Sequence, residues 1–322
     1  MRARCPLVAV LLALTLLAAV SCGGADDSED EAEPTATTQA DAAATTGGGT
    51  AAGRVTVEDA GREPRQRLQL RLAAGSTTRA AMVSRTALEV TMEGSRVLPG
   101  ALPTLRTVVE QRIDTVDSEG RAHYTATFTD WSVLPTADVD SRLSDQLQQV
   151  LNQFKGLRAT GSVDASGGRR TFSIDTGGIA DPLLKSRLDS TSSEFGNLGV
   201  PFPSEPVGPG ARWRVGRAAT FSGITVNMTT TYTLRMLTAD RYELDLVEGM
   251  EAPPGTAMNS SGVEATIERF SVRSTGNVVG ELTRDLPSRK TVHGGGELTI
   301  VNKERGETLS GRITQDLELS PA

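Results

Sequence analysis

The chain has two cysteines and two histidines in 322 residues, so thiol and imidazole chemistry have few addresses. Cys5 lies inside an apolar N-terminal run, and Cys22 follows that run directly. A cysteine sulfur is soft and nucleophilic, which suits it to covalent attachment of another group. His123 alternates with threonines and is expected to face solvent. His293 precedes Gly294-Gly295-Gly296, which reads as a flexible loop or a site. A single histidine without carboxylate or thiol at ligand spacing is a poor metal centre, so no metal is assigned. No G-x-S-x-G elbow, acylating S-x-x-K set, P-loop or G-x-G-x-x-G turn is present. The carboxylates cannot be sorted into acid and base. The sequence therefore predicts a chain that is not an enzyme and uses no cofactor.

Cys22 takes its meaning from its surroundings. Arg2 and Arg4 form a positive start, and Leu7–Val20 is an uncharged, mostly apolar run of 14 residues. As a helix that run would be about 21 Å long, short against a hydrocarbon core of about 30 Å. Its length and flanks fit a secretory signal. Ala19-Val20-Ser21-Cys22 resembles the bacterial lipobox, with Ala19 where leucine is commoner. The resemblance implies a diacylglyceryl thioether on Cys22 and cleavage before it. The alternative is an ordinary signal whose cleavage site happens to hold a cysteine. After cleavage Cys22 is the only cysteine, so no internal disulfide forms. Two buried acyl chains, at about 0.8 kcal/mol per methylene, make a firm membrane anchor. The implied location is exported, on the outer face of the plasma membrane or on the outer membrane, depending on the host.

Residues 22–53 read as the lipidated cysteine and a disordered acidic tether. Seven acidic residues (Asp26, Asp27, Glu29, Asp30, Glu31, Glu33, Asp41) lie among Thr, Ala and Gly, with no basic or aromatic residue before Arg54. Such a segment cannot bury enough apolar area to offset its ordering entropy. Its flexible reach is about 30 Å, more with charge repulsion. The acidic cluster lacks the glycine turn of an EF-hand loop. Without the signal and the tether, the 33 basic and 40 acidic residues of the whole chain fall to 31 and 33. A nearly neutral body with no basic stripe excludes a nucleic-acid partner.

The body, 54–322, is dominated by period-two alternation. Ile224, Val226, Met228, Thr230, Tyr232, Leu234 and Met236 share one face of a strand, and threonines fill the other. Shorter runs recur at Leu68–Leu72, Leu88–Met92, Ala122–Phe128, Phe172–Ile174, Tyr242–Leu246 and Ile313–Leu319. Two helices are expected to cover the strands. The first is Asp138–Phe154, with Val139, Leu143, Leu147, Val150, Leu151 and Phe154 on one face. The second opens at Asp181-Pro182 and carries Leu184, Leu188 and Phe195. Pro201–Gly210 reads as a seam between an N-terminal β-rich half with two helices (54–200) and a C-terminal antiparallel half (201–322). Glu251–Gly262 reads as a long exposed loop. The expected class is mainly β (α+β), with long antiparallel strands in one or two half-barrel-like sheets under two covering helices.

Pro203, Pro206, Val207, Gly210 and Trp213 form a P-x-x-P-V-x-x-G-x-x-W segment. It is similar to a segment of an uncharacterised family of secreted bacterial lipoproteins. The prolines stiffen a connector, Gly210 permits a turn, and Trp213 starts a strand and fills the core. Trp131 reads as a second core anchor. Helices laid on long antiparallel strands are also similar in architecture to the LolA/LolB and LppX/LprG type of lipoprotein carrier. That likeness implies a half-barrel whose apolar concave face holds acyl chains.

Two functions compete at this point. In one, the body carries an apolar, lipid-like ligand in the cell envelope. Val226, Met228, Tyr232, Leu234 and Met236 would then face Leu143, Leu147 and Leu151 across it; methionines suit an adaptable apolar wall. The same residues equally make a core that packs against itself. In the other, the body is a scaffold that binds an envelope protein through a strand edge or loop.

Overall fold

The structure, a computed structural model, describes residues 53–92, 95–137, 139–168, 170–176, 198–221, 224–260, 263–302 and 306–322. The signal, Cys22, the tether and the helix expected after Asp181 lie outside the described residues. The strands are β1 (Arg54–Asp59), β2 (Thr77–Met92), β3 (Ser95–Ala101), β4 (Thr104–Val116), β5 (Ala122–Leu134), β6 (Arg158–Val163), β7 (Arg170–Ile174), β8 (Arg212–Phe221), β9 (Ile224–Leu237), β10 (Arg241–Ala252), β11 (Thr256–Ser260), β12 (Val263–Glu281), β13 (Arg289–Asn302) and β14 (Glu307–Pro321). They form one open antiparallel sheet in the order β1-β8-β9-β10-β12-β13-β14-β2-β4-β5-β6-β7, with β3 on β2 and β11 on β12. β1 pairs with β8 and β14 with β2, so residues on both sides of Pro201–Gly210 share this sheet.

Among the described residues there is a single α-helix, α1 (Ser141–Leu151), followed by a 3₁₀ turn at Asn152–Phe154. It is shorter than the periodicity suggests, because the Asp140 carboxylate caps it by accepting from the Arg142 N–H at 2.8 Å. Beyond Thr127, β5 has outrun β6. The Gln148 side chain takes over there, donating to the Trp131 carbonyl at 3.0 Å and accepting from the Val133 N–H at 2.7 Å. The helix thus supplies the hydrogen bonds that a neighbouring strand would have made.

One strand expectation and two loop expectations are corrected. Leu68–Leu72 is not in the sheet; it is an extended segment packed on the sheet's inner face, tied by Leu70 N–H to the Ala165 carbonyl and Arg71 N–H to the Leu282 carbonyl. Alternating leucines record one-sided burial, and a packed coil meets that pattern as well as a strand does. Glu251–Gly262 is not a long loop. β10 runs to Ala252, and β11 follows with Met258 buried. Likewise Gly294-Gly295-Gly296 lies within β13.

Those glycines help bend the sheet. A Cβ on Gly276 would collide with the Thr291 carbonyl oxygen, and one on Gly296 with that of Ser271. β12 and β13 approach more closely there than side-chain-bearing strands can. The curvature brings distant strands together: Ile113, Tyr124 and Val163 of β4–β6 share one buried cluster with Trp213, Leu234 and Tyr242 of β8–β10. The inner face carries almost all of the core.

Candidate functional site

Strand register divides the inner face into tiers. In the first tier Trp213, Tyr232, Leu246, Gly276, Val292, Leu317 and Ser84 are successive partners across seven strands. One step along the strands come Val215, Thr230, Glu248, Ser274, Gly294, Gln315 and Thr86. One step further come Arg217, Met228, Met250, Val272, Gly296, Ile313 and Leu88. A polar belt therefore separates two apolar regions of one face.

The first region is filled by the chain itself. Leu68, Leu70, Val200, Phe202 and Val207 lie outside the strands and pack with Trp213, Leu234 and Tyr242. Trp213 is fully buried, stacks on Tyr232 with ring centroids 5.6 Å apart, and donates from Nε1 to the Pro201 carbonyl at 3.0 Å. The P-x-x-P-V-x-x-G-x-x-W residues thus build a plug. Pro203 and Val207 are buried and Pro206 is exposed. Gly210, at φ +88°, donates to the Leu234 carbonyl. The segment also depends on Gly208, which the motif spacing leaves free. A Cβ there would strike the Arg62 carbonyl oxygen, where residues 60–66 cross the plug.

A buried polar group lies beside the plug. Arg170 and Asp285 are paired through both terminal guanidinium nitrogens, Nη1 donating to Oδ2 at 2.9 Å and Nη2 to Oδ1 at 2.6 Å. Their side chains are 7% and 1% exposed. Arg170 Nε donates to the Gly167 carbonyl at 2.9 Å, and Gln111 Nε2 donates to Asp285 Oδ2 at 2.9 Å. Burial alone would lower the Arg170 pKa, but the Asp285 carboxylate beside it leaves it raised. The pair joins edge strand β7 to the β12–β13 connection across 115 residues of sequence. Burial raises the pKa of Tyr124, Tyr232 and Tyr242, so their phenols stay neutral.

The second apolar region has a different make-up. Its buried members include Val226, Met258, Ile267, Ile300 and Leu309, with Met228, Met250 and Phe270 partly exposed at its margin. Every described member belongs to a strand. Met228 and Met250 are direct cross-strand partners.

The residues expected to face a ligand are therefore split. Val226 and Met228 belong to the methionine-lined region, whereas Tyr232 and Leu234 belong to the plugged one. Met236 is half-buried. Leu151 and Leu147 pack in a third cluster with Phe128, Trp131 and Phe154, and Leu143 is 43% exposed. The helix does not face β9 across a shared cluster.

Two cations that motif reading overlooks flank the belt, Arg217 opposite Met228 on one side and Lys290 opposite Val278 on the other. Arg217 shares the parity of Trp213 and Val215, which is the sequence signal that places it inward. Its pKa is lowered chiefly by burial, with Tyr232 and Glu248 opposing the shift. Lys290, 8% exposed, brings Nζ to 3.5 Å from Glu248 Oε1. The buried Thr86 hydroxyl finds no hydrogen-bond partner among the described residues, a state that costs about 1–3 kcal/mol. His123 and His293 are exposed; His293 Nδ1 lies 2.8 Å from Asp316 Oδ1, its cross-strand neighbour. Among the described residues no group of three or more His, Cys, Asp and Glu side chains is placed to hold a metal, and no helix is long and apolar enough to cross a membrane. No protein-family model, curated protein or solved structure matches the chain.

Proposed function

We propose that this chain is a lipid-anchored envelope lipoprotein whose rolled sheet acts as a half-barrel and holds an apolar, lipid-like ligand at its methionine-lined end. One observation carries the reading. The inner face has two apolar regions, and among the described residues the chain lays its own segments over one, whereas the other is built from strand residues alone. Methionine side chains are flexible and polarizable, so Met228 and Met250 suit a wall that adapts to a chain-like ligand. The entry point of the tether agrees with this. β1 begins at Arg54 opposite Gly216, at the level of Arg217 and Met228, so the segment leading to Cys22 joins the body near that end.

Native mass spectrometry of the full-length protein, gently extracted in a neutral detergent, tests the reading. The expected result is an added mass of lipid size that is reduced in Met228→Gln/Met250→Gln. A clean protein mass overturns it. Among the described residues the outer edge of β1 has no strand partner, which supports a second reading, an envelope-protein scaffold, because unpaired strand edges can recruit another strand. A stoichiometric envelope protein retained without lipid would favour that reading.

A further inference from the structure

From Arg54 onward the chain has no cysteine, so the sulfur of the body is all thioether. Met82 and Met258 are buried, at 7% and 4% exposed, and are shielded from solvent. Met228 and Met250 differ from them in two ways. Each is half-buried, and the two stand opposite each other on β9 and β10, packed against the margin of the second apolar region. Met92 and Met236 are also half-buried, but neither faces another methionine: Met92 pairs with Leu309 and Ser95, and Met236 with Glu243. A thioether sulfur is a nucleophile toward peroxide. Its lone pair forms an S–O bond as the O–O bond breaks; sulfur is oxidised, the peroxide is reduced, and the departing hydroxide takes the remaining proton and leaves as water. The product is a polar sulfoxide that accepts hydrogen bonds. Two such oxygens side by side would set unmatched acceptors into a wall otherwise made of Val226, Val272 and Ile313.

We propose that Met228 and Met250 form a paired modification site for peroxide, and that their oxidation to sulfoxide switches off binding of an apolar ligand. Reduction by a thiol-dependent sulfoxide reductase switches it on again: two thiols become a disulfide, and the sulfoxide oxygen leaves as water. The effect on binding rests on the apolar-ligand reading and adds its regulation. A bound ligand covers the pair and shields it in turn.

The test exposes the full-length protein, in neutral detergent, to hydrogen peroxide. Peptide mass spectrometry follows oxidation at each methionine, and native mass spectrometry counts bound palmitic acid. Met228 and Met250 should oxidise about tenfold or more faster than Met82 and Met258. Bound palmitic acid should fall about tenfold, on the time course of the pair rather than of Met92 or Met236. Palmitic acid loaded beforehand should slow oxidation of the pair and leave Met92 and Met236 unaffected. Sulfoxide reductases for both epimers, with dithiothreitol, should restore binding. Met228→Leu/Met250→Leu, measured against its own untreated level, should lose its sensitivity to peroxide. Oxidation of the pair no faster than of Met82 and Met258 overturns the modification site. Full oxidation of the pair with binding retained overturns the switch and leaves the apolar-ligand reading standing. No palmitic acid on the untreated protein overturns that reading and the switch together, while the oxidation rates still decide the modification site. The time courses need no variant, so a misfolded substitution leaves the outcome decisive.

Discussion

At the scale of single residues, Arg170 and Asp285 are the most exposed to loss. Both are buried and doubly hydrogen-bonded, so removing one leaves an uncompensated charge in the core. Asp285→Ala should lower unfolding stability by about 3–5 kcal/mol, read as a fall in the urea midpoint with little change in slope. Arg170→Met with Asp285→Leu should cost clearly less, because no charge is stranded. A double variant as unstable as Asp285→Ala would mean that the pair contributes through shape rather than charge. Neither residue was legible in the sequence: 115 residues separate them, and each looks like an ordinary surface charge. Arg217 was more legible, since its parity with Trp213 points it inward, but alternation was read through apolar residues only. The tyrosines offer a second test. All three of the chain's tyrosines are buried with raised pKa values, so each binds its proton more tightly folded than unfolded. Their contribution to stability is full below the unfolded value of about 10 and is lost as pH rises above it. Absorbance at 295 nm should show no phenolate near pH 10 and should then rise together with unfolding. A gradual titration centred at pH 10 in the folded protein would contradict their burial.

At the scale of elements, periodicity reported faithfully on which residues are buried and less well on what pairs with what. β2, β5, β9, β10 and β14 were legible because one face of each is covered while the other is wet. Leu68–Leu72 shows the limit of the signal, since a packed coil buries alternate leucines without any ladder. β13 was hidden for the opposite reason. Three glycines interrupt its pattern and suggest a loop, yet the sheet needs them where β12 and β13 bend against each other. Gly296→Val should therefore cost about 1–3 kcal/mol through backbone displacement. Gly249→Ala, in β10 with open space around its Cβ position, should be neutral or slightly stabilising. Thermal unfolding of the two variants checks the contrast; equal shifts would mean that the bend does not depend on glycine. The first helix was legible from its apolar stripe, but its use of Gln148 to complete β5 was not, because a glutamine carries no periodicity.

At the scale of the whole molecule, charge and connectivity give one argument about orientation. The acidic residues that set the chain's net charge of −7 lie mostly between Cys22 and Arg54, and the body is close to neutral. An anionic tether is repelled by anionic lipid, whereas a near-neutral body is not. On the proposed lipid-anchored reading, residues 23–53 lead to the start of β1, beside Arg217 and the methionine-lined end, so a short reach would hold that end toward the bilayer. Composition predicts a flexible reach of about 30 Å, enough on that reading for the body to turn its methionine-lined end to the membrane and away again. If the ligand comes from the membrane, tether length controls loading but not intrinsic affinity. Deleting residues 31–50 should thus lower the fraction of protein recovered with bound lipid from cells, while binding of added palmitic acid in detergent stays at the wild-type level. Cys22→Ser should lower cellular loading further and abolish incorporation of a metabolic alkynyl-palmitate label. Equal loading in all three proteins would show that the ligand arrives from solution, and the tether would then serve retention alone. A loss of binding in detergent on tether deletion would instead make the tether part of the site.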